Sequence, residues 1–140
     1  MKIVIIDGQG GKLGRLIIET IVEKNISCDI YGIGTNTMAT SAMLKGGAKF
    51  GATGENAVLV ACRDADVIMG PIGIISADSL LGEITPAMAV AVGQSRAIKL
   101  LMPVSNCNNQ VIGVQQMTMS DMAVKAAVRL EEIIATGACK

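Results

Sequence analysis

The stretch Lys2-Ile3-Val4-Ile5-Ile6-Asp7-Gly8-Gln9-Gly10-Gly11-Lys12-Leu13-Gly14-Arg15 decides how the rest of the chain is read. Residues 2–6 are a β-branched apolar run, the mark of a strand buried on both faces. A glycine-rich turn follows at once. Beyond it, Lys12, Arg15, Glu19 and Glu23 recur at helical spacing, with Leu13, Leu16, Ile17, Ile21 and Val22 filling much of the remainder. That spacing predicts an amphipathic helix over 12–24 with its apolar face on a sheet. Buried strand, glycine turn and helix form the opening unit of a parallel α/β fold.

The same alternation continues downstream. Strands are predicted at 28–33, 48–50, 67–69 and 98–102, with a sixth at the sheet edge over 111–114. Helices are predicted at 37–44, 55–63, 86–93 and 121–135. Thr53 is placed to cap the helix at 55, Thr85 with Pro86 opens the one at 86, and Thr118 or Ser120 caps the last. The segment 72–82 reads as irregular, with one helical turn around Ser79. Strands alternating with helices imply a single doubly wound, Rossmann-like α/β domain over 1–140, with a mostly parallel sheet of five or six strands.

Composition narrows the class. Half of the chain is apolar (51%), with nine Met but a single Phe, a single Tyr and no Trp. Side chains of that kind suit the thin layers of a helix-covered sheet. Basic and acidic residues balance at 12 each, and with Tyr31 and Phe50 as the two aromatics there is neither a basic stripe nor a stacking platform. Nucleic acid is not expected as a partner. Asp7 interrupts the first apolar run too early for a signal peptide, and no apolar stretch reaches transmembrane length. Cys28, Cys62, Cys107 and Cys139 form no Cys-x-x-Cys pair and read as reduced thiols of a cytoplasmic protein. The absence of histidine removes His-based triads, His proton shuttles and most common zinc sites. With the acids scattered, no metal site is expected.

The glycines match Gly-x-x-Gly-x-x-Gly at Gly8, Gly11 and Gly14. In such a turn Gly8 permits the bend, Gly10 and Gly11 let amides approach a ligand, and Gly14 lets helix and strand pack closely. Unpaired N–H groups at the helix N-terminus then favour an anion such as a pyrophosphate. A tight strand-to-helix turn with no ligand is the alternative. Gly11→Val is expected to abolish ligand binding and leave the fold intact.

The run from Gly8 through Arg15 resembles the cofactor loop of dihydrodipicolinate reductase and of other nicotinamide enzymes with this glycine spacing. The resemblance implies NAD(P) held on Gly8, Gln9, Gly10, Gly11, Lys12 and Leu13. The chain as a whole resembles a small bacterial family of Rossmann-like proteins of unassigned function, which implies the fold and no activity. Gly14, Thr35, Asn36, Gly70 and Pro71 complete the candidate cofactor set, because ligands of such sheets sit beyond the C-terminal strand ends. An acid is expected near the end of the second strand to hold the adenosine ribose. Gly34, Thr35 and Asn36 stand there instead, and with Lys12 or Arg15 nearby they favour NADP slightly over NAD. Thr35→Asp is expected to shift the preference toward NAD.

Three further residues stand out. Asp7 either opposes an anionic ligand or bonds to turn amides, the second being preferred. Cys107 is a loop thiol in the cleft, and Glu83 is a charge in an apolar setting. No catalytic residue can be assigned. The preferred reading is an oligomeric module that binds a small phosphorylated ligand. The alternatives are an NAD(P)-dependent oxidoreductase with its active site between subunits and an interaction protein with a vacant loop. The helix from Pro86 to Gly93 is apolar almost all round, so it is expected to be covered, preferably in a homodimer or larger homo-oligomer.

Overall fold

The computed structural model describes residues 1–104 and 109–137. The elements run β1 (Lys2–Asp7), α1 (Lys12–Glu23), β2 (Asp29–Gly34), α2 (Thr37–Lys45), β3 (Phe50–Thr53), α3 (Glu55–Ala61), β4 (Val67–Pro71), α4 (Pro86–Gln94), β5 (Ile98–Met102) and α5 (Met119–Thr136). A 3-10 turn at Ile72–Ile75 follows β4. All five strands pair in parallel, in the order β3-β2-β1-β4-β5.

Alternation along β1 separates two cores. Ile3 and Ile5 point to the layer of α1 and α5, where Ile17, Ile18, Ile21, Ala127, Leu130 and Ile133 are buried. Val4 and Ile6 point to the layer of α3 and α4, against Val58, Ile74, Ile84, Met88 and Val92. Helices therefore cover both faces, and the central strand can be apolar throughout. Each fully buried Ile contributes about 1.5–3 kcal/mol over an exposed one.

The order reverses between β1 and β4. Their C-terminal ends, Asp7 and Pro71, flank the crevice where ligands bind in doubly wound sheets. Register makes the ends of β1 and β2 level, with Asp7 opposite Gly34. The backbone pairing extends one step further, Thr35 N donating to the Asp7 carbonyl at 3.0 Å.

Several expectations change. Residues 111–114 form an exposed turn rather than a sixth strand: Val111, Ile112 and Val114 stay exposed, and β5 remains the edge of the sheet among the described residues. The third strand begins two residues later than predicted, at Phe50, where pairing with Tyr31 starts. Thr53 is its last residue and not a cap: Gly54 holds the N-cap of α3, and the Thr53 hydroxyl bonds that of Thr40 at 2.6 Å. Of the two ways to cover α4, enclosure within the chain is not what the fold provides. Met88, Ala89 and Val92 are buried, whereas Pro86, Ala87, Gly93 and Val90 (52%) are exposed. Thr85 caps α4 as expected, accepting from Met88 N. Among the described residues no helix is long and apolar enough to cross a membrane.

Candidate functional site

The glycine turn is held from below by Asp7. Its carboxylate accepts from Gly8 N at 2.8 Å and from Gly14 N at 2.7 Å, tying the start of the loop to the first turn of α1. Only 6% of the residue is exposed. Burial raises its carboxyl above the usual 3.8, partly offset by the two amides, with the nearby Glu83 charge adding a smaller upward push. Asp7 is thus the clamp of the turn, as the preferred sequence reading has it.

Three of the four glycines are required by the fold. A Cβ at Gly8 would stand 2.7 Å from Thr35 Oγ1, and one at Gly14 would stand 2.8 Å from Met43 Sδ. Gly11 is the N-cap of α1 at φ 70°, with the Ala39 backbone 2.7 Å from where a Cβ would lie. Gly11→Val would therefore strain the backbone and push α1 off α2, so it is not the fold-neutral test that the motif suggests. Gly10 differs: a Cβ there meets open space. Gly70, by contrast, is needed where β4 passes β1, since a Cβ would strike the Ile6 carbonyl.

Among the described residues the amides of Gly10, Lys12 and Leu13 have no protein acceptor, and the N-cap supplies no side-chain oxygen. These are the orphan donors of a helix N-terminus, with the helix dipole behind them. They border a cavity of about 90 Å³ lined by the loop, Pro71, Leu80, Val104 and Met119. Pockets for drug-sized ligands start at roughly 300 Å³, so this space suits a phosphoryl group rather than a whole nucleotide. Lys12 is exposed and makes no ion pair among the described residues, whereas Arg15 is held by Glu19 at 2.7 Å on its own helix.

The loop's outer side carries a residue whose role sequence reasoning left open. Glu83 reaches across from the segment before α4, and its Oε2 accepts from Gln9 N at 2.8 Å. Its Oε1 accepts from Asn36 Nδ2 at 2.6 Å. Asn36 also donates to the Gln9 carbonyl at 2.9 Å and caps α2 by accepting from Ala39 N. Thr35 Oγ1 is buried beside Gly8 with no hydrogen-bond partner among the described residues. The site thus unites Gly8 to Gly14, Thr35, Asn36 and Pro71 with Glu83, while Gly70 lies beneath it as packing.

The segment that presents Glu83 has an unusual backbone. Asp78, Leu80, Leu81 and Gly82 all adopt positive φ, which is uncommon outside glycine. It is braced internally by Asp78 N to the Ile84 carbonyl at 2.7 Å and by Ser79 Oγ to the Gly73 carbonyl at 2.5 Å. Leu80 tucks against Gly8, so the segment both covers the turn and aims the carboxylate at it. Its signal in the sequence was the lone charge of Leu81-Gly82-Glu83-Ile84.

Cys62 is buried and its thiol is pushed up to about 11, so it is a protonated core group at neutral pH. Cys107, with the rest of 105–108, lies outside the described residues. No group of three or more His, Cys, Asp or Glu placed to hold a metal occurs among the described residues.

No curated protein matches the chain. Among solved structures it is similar to a dodecameric FMN-dependent UbiX-like decarboxylase from Escherichia coli O157:H7. That match has a TM-score of 0.48 at 16% identity, over 94% of this chain and 76% of the other. A family model described as Domain of unknown function (DUF3842) matches residues 2–135, and the chain belongs to that family.

Proposed function

We propose that the chain is a nucleotide-binding module that holds a phosphate-bearing ligand against the N-terminus of α1. The observation that carries this reading is the trio of amides without an acceptor among the described residues at Gly10, Lys12 and Leu13, which line one cavity with Asp7 of β1 and Pro71 of β4. The free Lys12 cation and a cavity of phosphoryl size support it. The loop's resemblance to nicotinamide cofactor loops makes NAD and NADP the leading ligands. Binding is favoured over turnover because the acids at the loop are committed to holding it: Asp7 to Gly8 and Gly14, Glu83 to Gln9 and Asn36. The bare face of α4, with the groove of about 570 Å³ between it and Leu59, Cys62 and Arg63 of the α3 region, is read as the contact with a second copy.

The test is a thermal-shift comparison of NAD, NADP, NADH, NADPH, FMN, ATP and coenzyme A. A ligand at a hundred times its dissociation constant adds about 2.7 kcal/mol of stability. Gly10→Val supplies the control, since it alters the ligand-facing surface without a steric demand from the fold. The variant is expected to melt near the wild-type temperature and to lose the ligand-induced shift. An undiminished shift would remove the phosphate cradle from the reading, and hydride exchange with a dinucleotide would replace the module by an oxidoreductase.

A further inference from the structure

We propose that Glu83 is the specificity-determining carboxylate of this site. It admits a nucleotide whose adenosine-side ribose carries free 2′ and 3′ hydroxyls and rejects the 2′-phosphorylated counterpart. The inference rests on the nucleotide-binding reading and deepens it by naming the ligand class.

In doubly wound sheets the ribose of a bound dinucleotide lies at the end of β2, where an acid accepts its hydroxyls. Here β2 ends in neutral residues, which taken alone favours a 2′-phosphate. Folding delivers the missing acid from 47 residues away. Glu83 Oε1 rests on Asn36, two residues past β2, and Oε2 rests on the amide of Gln9. An ionised carboxylate has about four acceptor sites. One protein donor to each oxygen leaves capacity for the two hydroxyls of a diol.

A second observation points to the same spot. Thr35 Oγ1 and Glu83 Oε2 both flank Gly8, at 2.7 and 3.0 Å from where a Cβ would stand. The hydroxyl is buried and has no partner among the described residues. Buried polar atoms are nearly always satisfied, so an orphan one beside the glycine turn calls for a partner that the described residues do not supply.

A 2′-phosphate would bring a charge of about −1.5 to −2 at neutral pH against this carboxylate. Glu83 has no ion-pair partner among the described residues to offset it, and Arg15 is engaged by Glu19. Thr35→Asp is consequently a poor way to create NAD preference, since it sets a second carboxylate beside one already present.

The experiment is calorimetric titration of wild type, Glu83→Gln and Glu83→Lys with NAD, NADP, ADP-ribose and 2′-phospho-ADP-ribose. Unfolding midpoints without ligand establish that each variant folds. Wild type is expected to bind the unphosphorylated ligands at least about tenfold tighter, the scale of hydrogen bonds to a charged group. Glu83→Gln should erase most of that ratio, and Glu83→Lys should invert it. Equal affinities in wild type, or a ratio unmoved by either variant, would overturn the role of Glu83 and leave the phosphate cradle standing. Binding of none of the four would overturn the nucleotide reading and this inference with it.

Discussion

At Asp7, two effects of burial compete on one side chain. Leaving water disfavours the carboxylate, while the Gly8 and Gly14 amides favour it, and the first dominates because the carboxyl is raised. Folding therefore prefers the protonated acid. Its contribution to stability is fullest below 3.8 and is lost as pH rises from there through the raised folded-state value. Asp7→Asn lacks this titration. In urea unfolding between pH 7 and pH 4, wild type should gain stability relative to the variant as pH falls; a gain in the other direction would mean that the amides outweigh burial. Thr35 offers a separate test. Thr35→Val replaces an unpartnered buried hydroxyl with a methyl of similar shape and should raise stability by about 1 kcal/mol. A lower melting temperature would reveal a partner for that hydroxyl. The turn itself was legible at this scale because Asp7, Gly8, Gly11 and Gly14 act within one local stretch. The partnership of Glu83 with Gln9 was not, since 74 residues separate them and no local spacing encodes it.

At the scale of elements, apolar runs located both the fully buried central strand β1 and the half-buried edge strand β5. β1 and β5 are recovered to within a residue, and β4 runs on through Gly70 and Pro71 to close the crevice. The larger errors fall where burial is weakest. All four residues of β3 are exposed, so its position follows from pairing with β2 and not from hydropathy. The run at 111–114 has the composition of a strand but stays exposed and does not pair with the open edge of β5. The segment leading to Glu83 reads as irregular because its shape depends on left-handed backbone at Asp78, Leu80 and Leu81, which side-chain pattern does not report. That backbone is itself testable. Leu81 is 98% exposed at φ 56°, so its side chain contributes little packing. Leu81→Gly relieves a left-handed cost of about 1–2 kcal/mol and adds unfolded-state entropy of about 0.4–1 kcal/mol. A net gain of up to about 1 kcal/mol is expected in chemical unfolding. A loss would mean that Leu81 is covered in solution.

For the whole molecule, α4 presents the main question. A helix nearly devoid of polar residues normally has apolar neighbours on every side, yet one layer of this fold ends with it. Its inner face is buried through Met88, Ala89 and Val92, while Ala87 and Val90 line an outer groove with Leu59 of α3. Covering this face with a second copy also accounts for the positive mean hydropathy of a chain with balanced charge. A twofold arrangement would bring α4 against α4, with Arg63 and Arg96 left at the rim of the groove where water can solvate them. Sedimentation should then give a dimer or larger species. Val90→Lys, which places a charge at the centre of the contact without touching the core, should shift it to monomer. Circular dichroism should meanwhile keep the helical signal, because Val90 contributes nothing to the buried side of α4. The glycine turn is built by β1, α1, α2 and the Glu83 segment of the same chain. Ligand affinity should consequently survive Val90→Lys. Joint loss of assembly and binding would relocate part of the ligand site to the partner copy and favour a site formed between subunits.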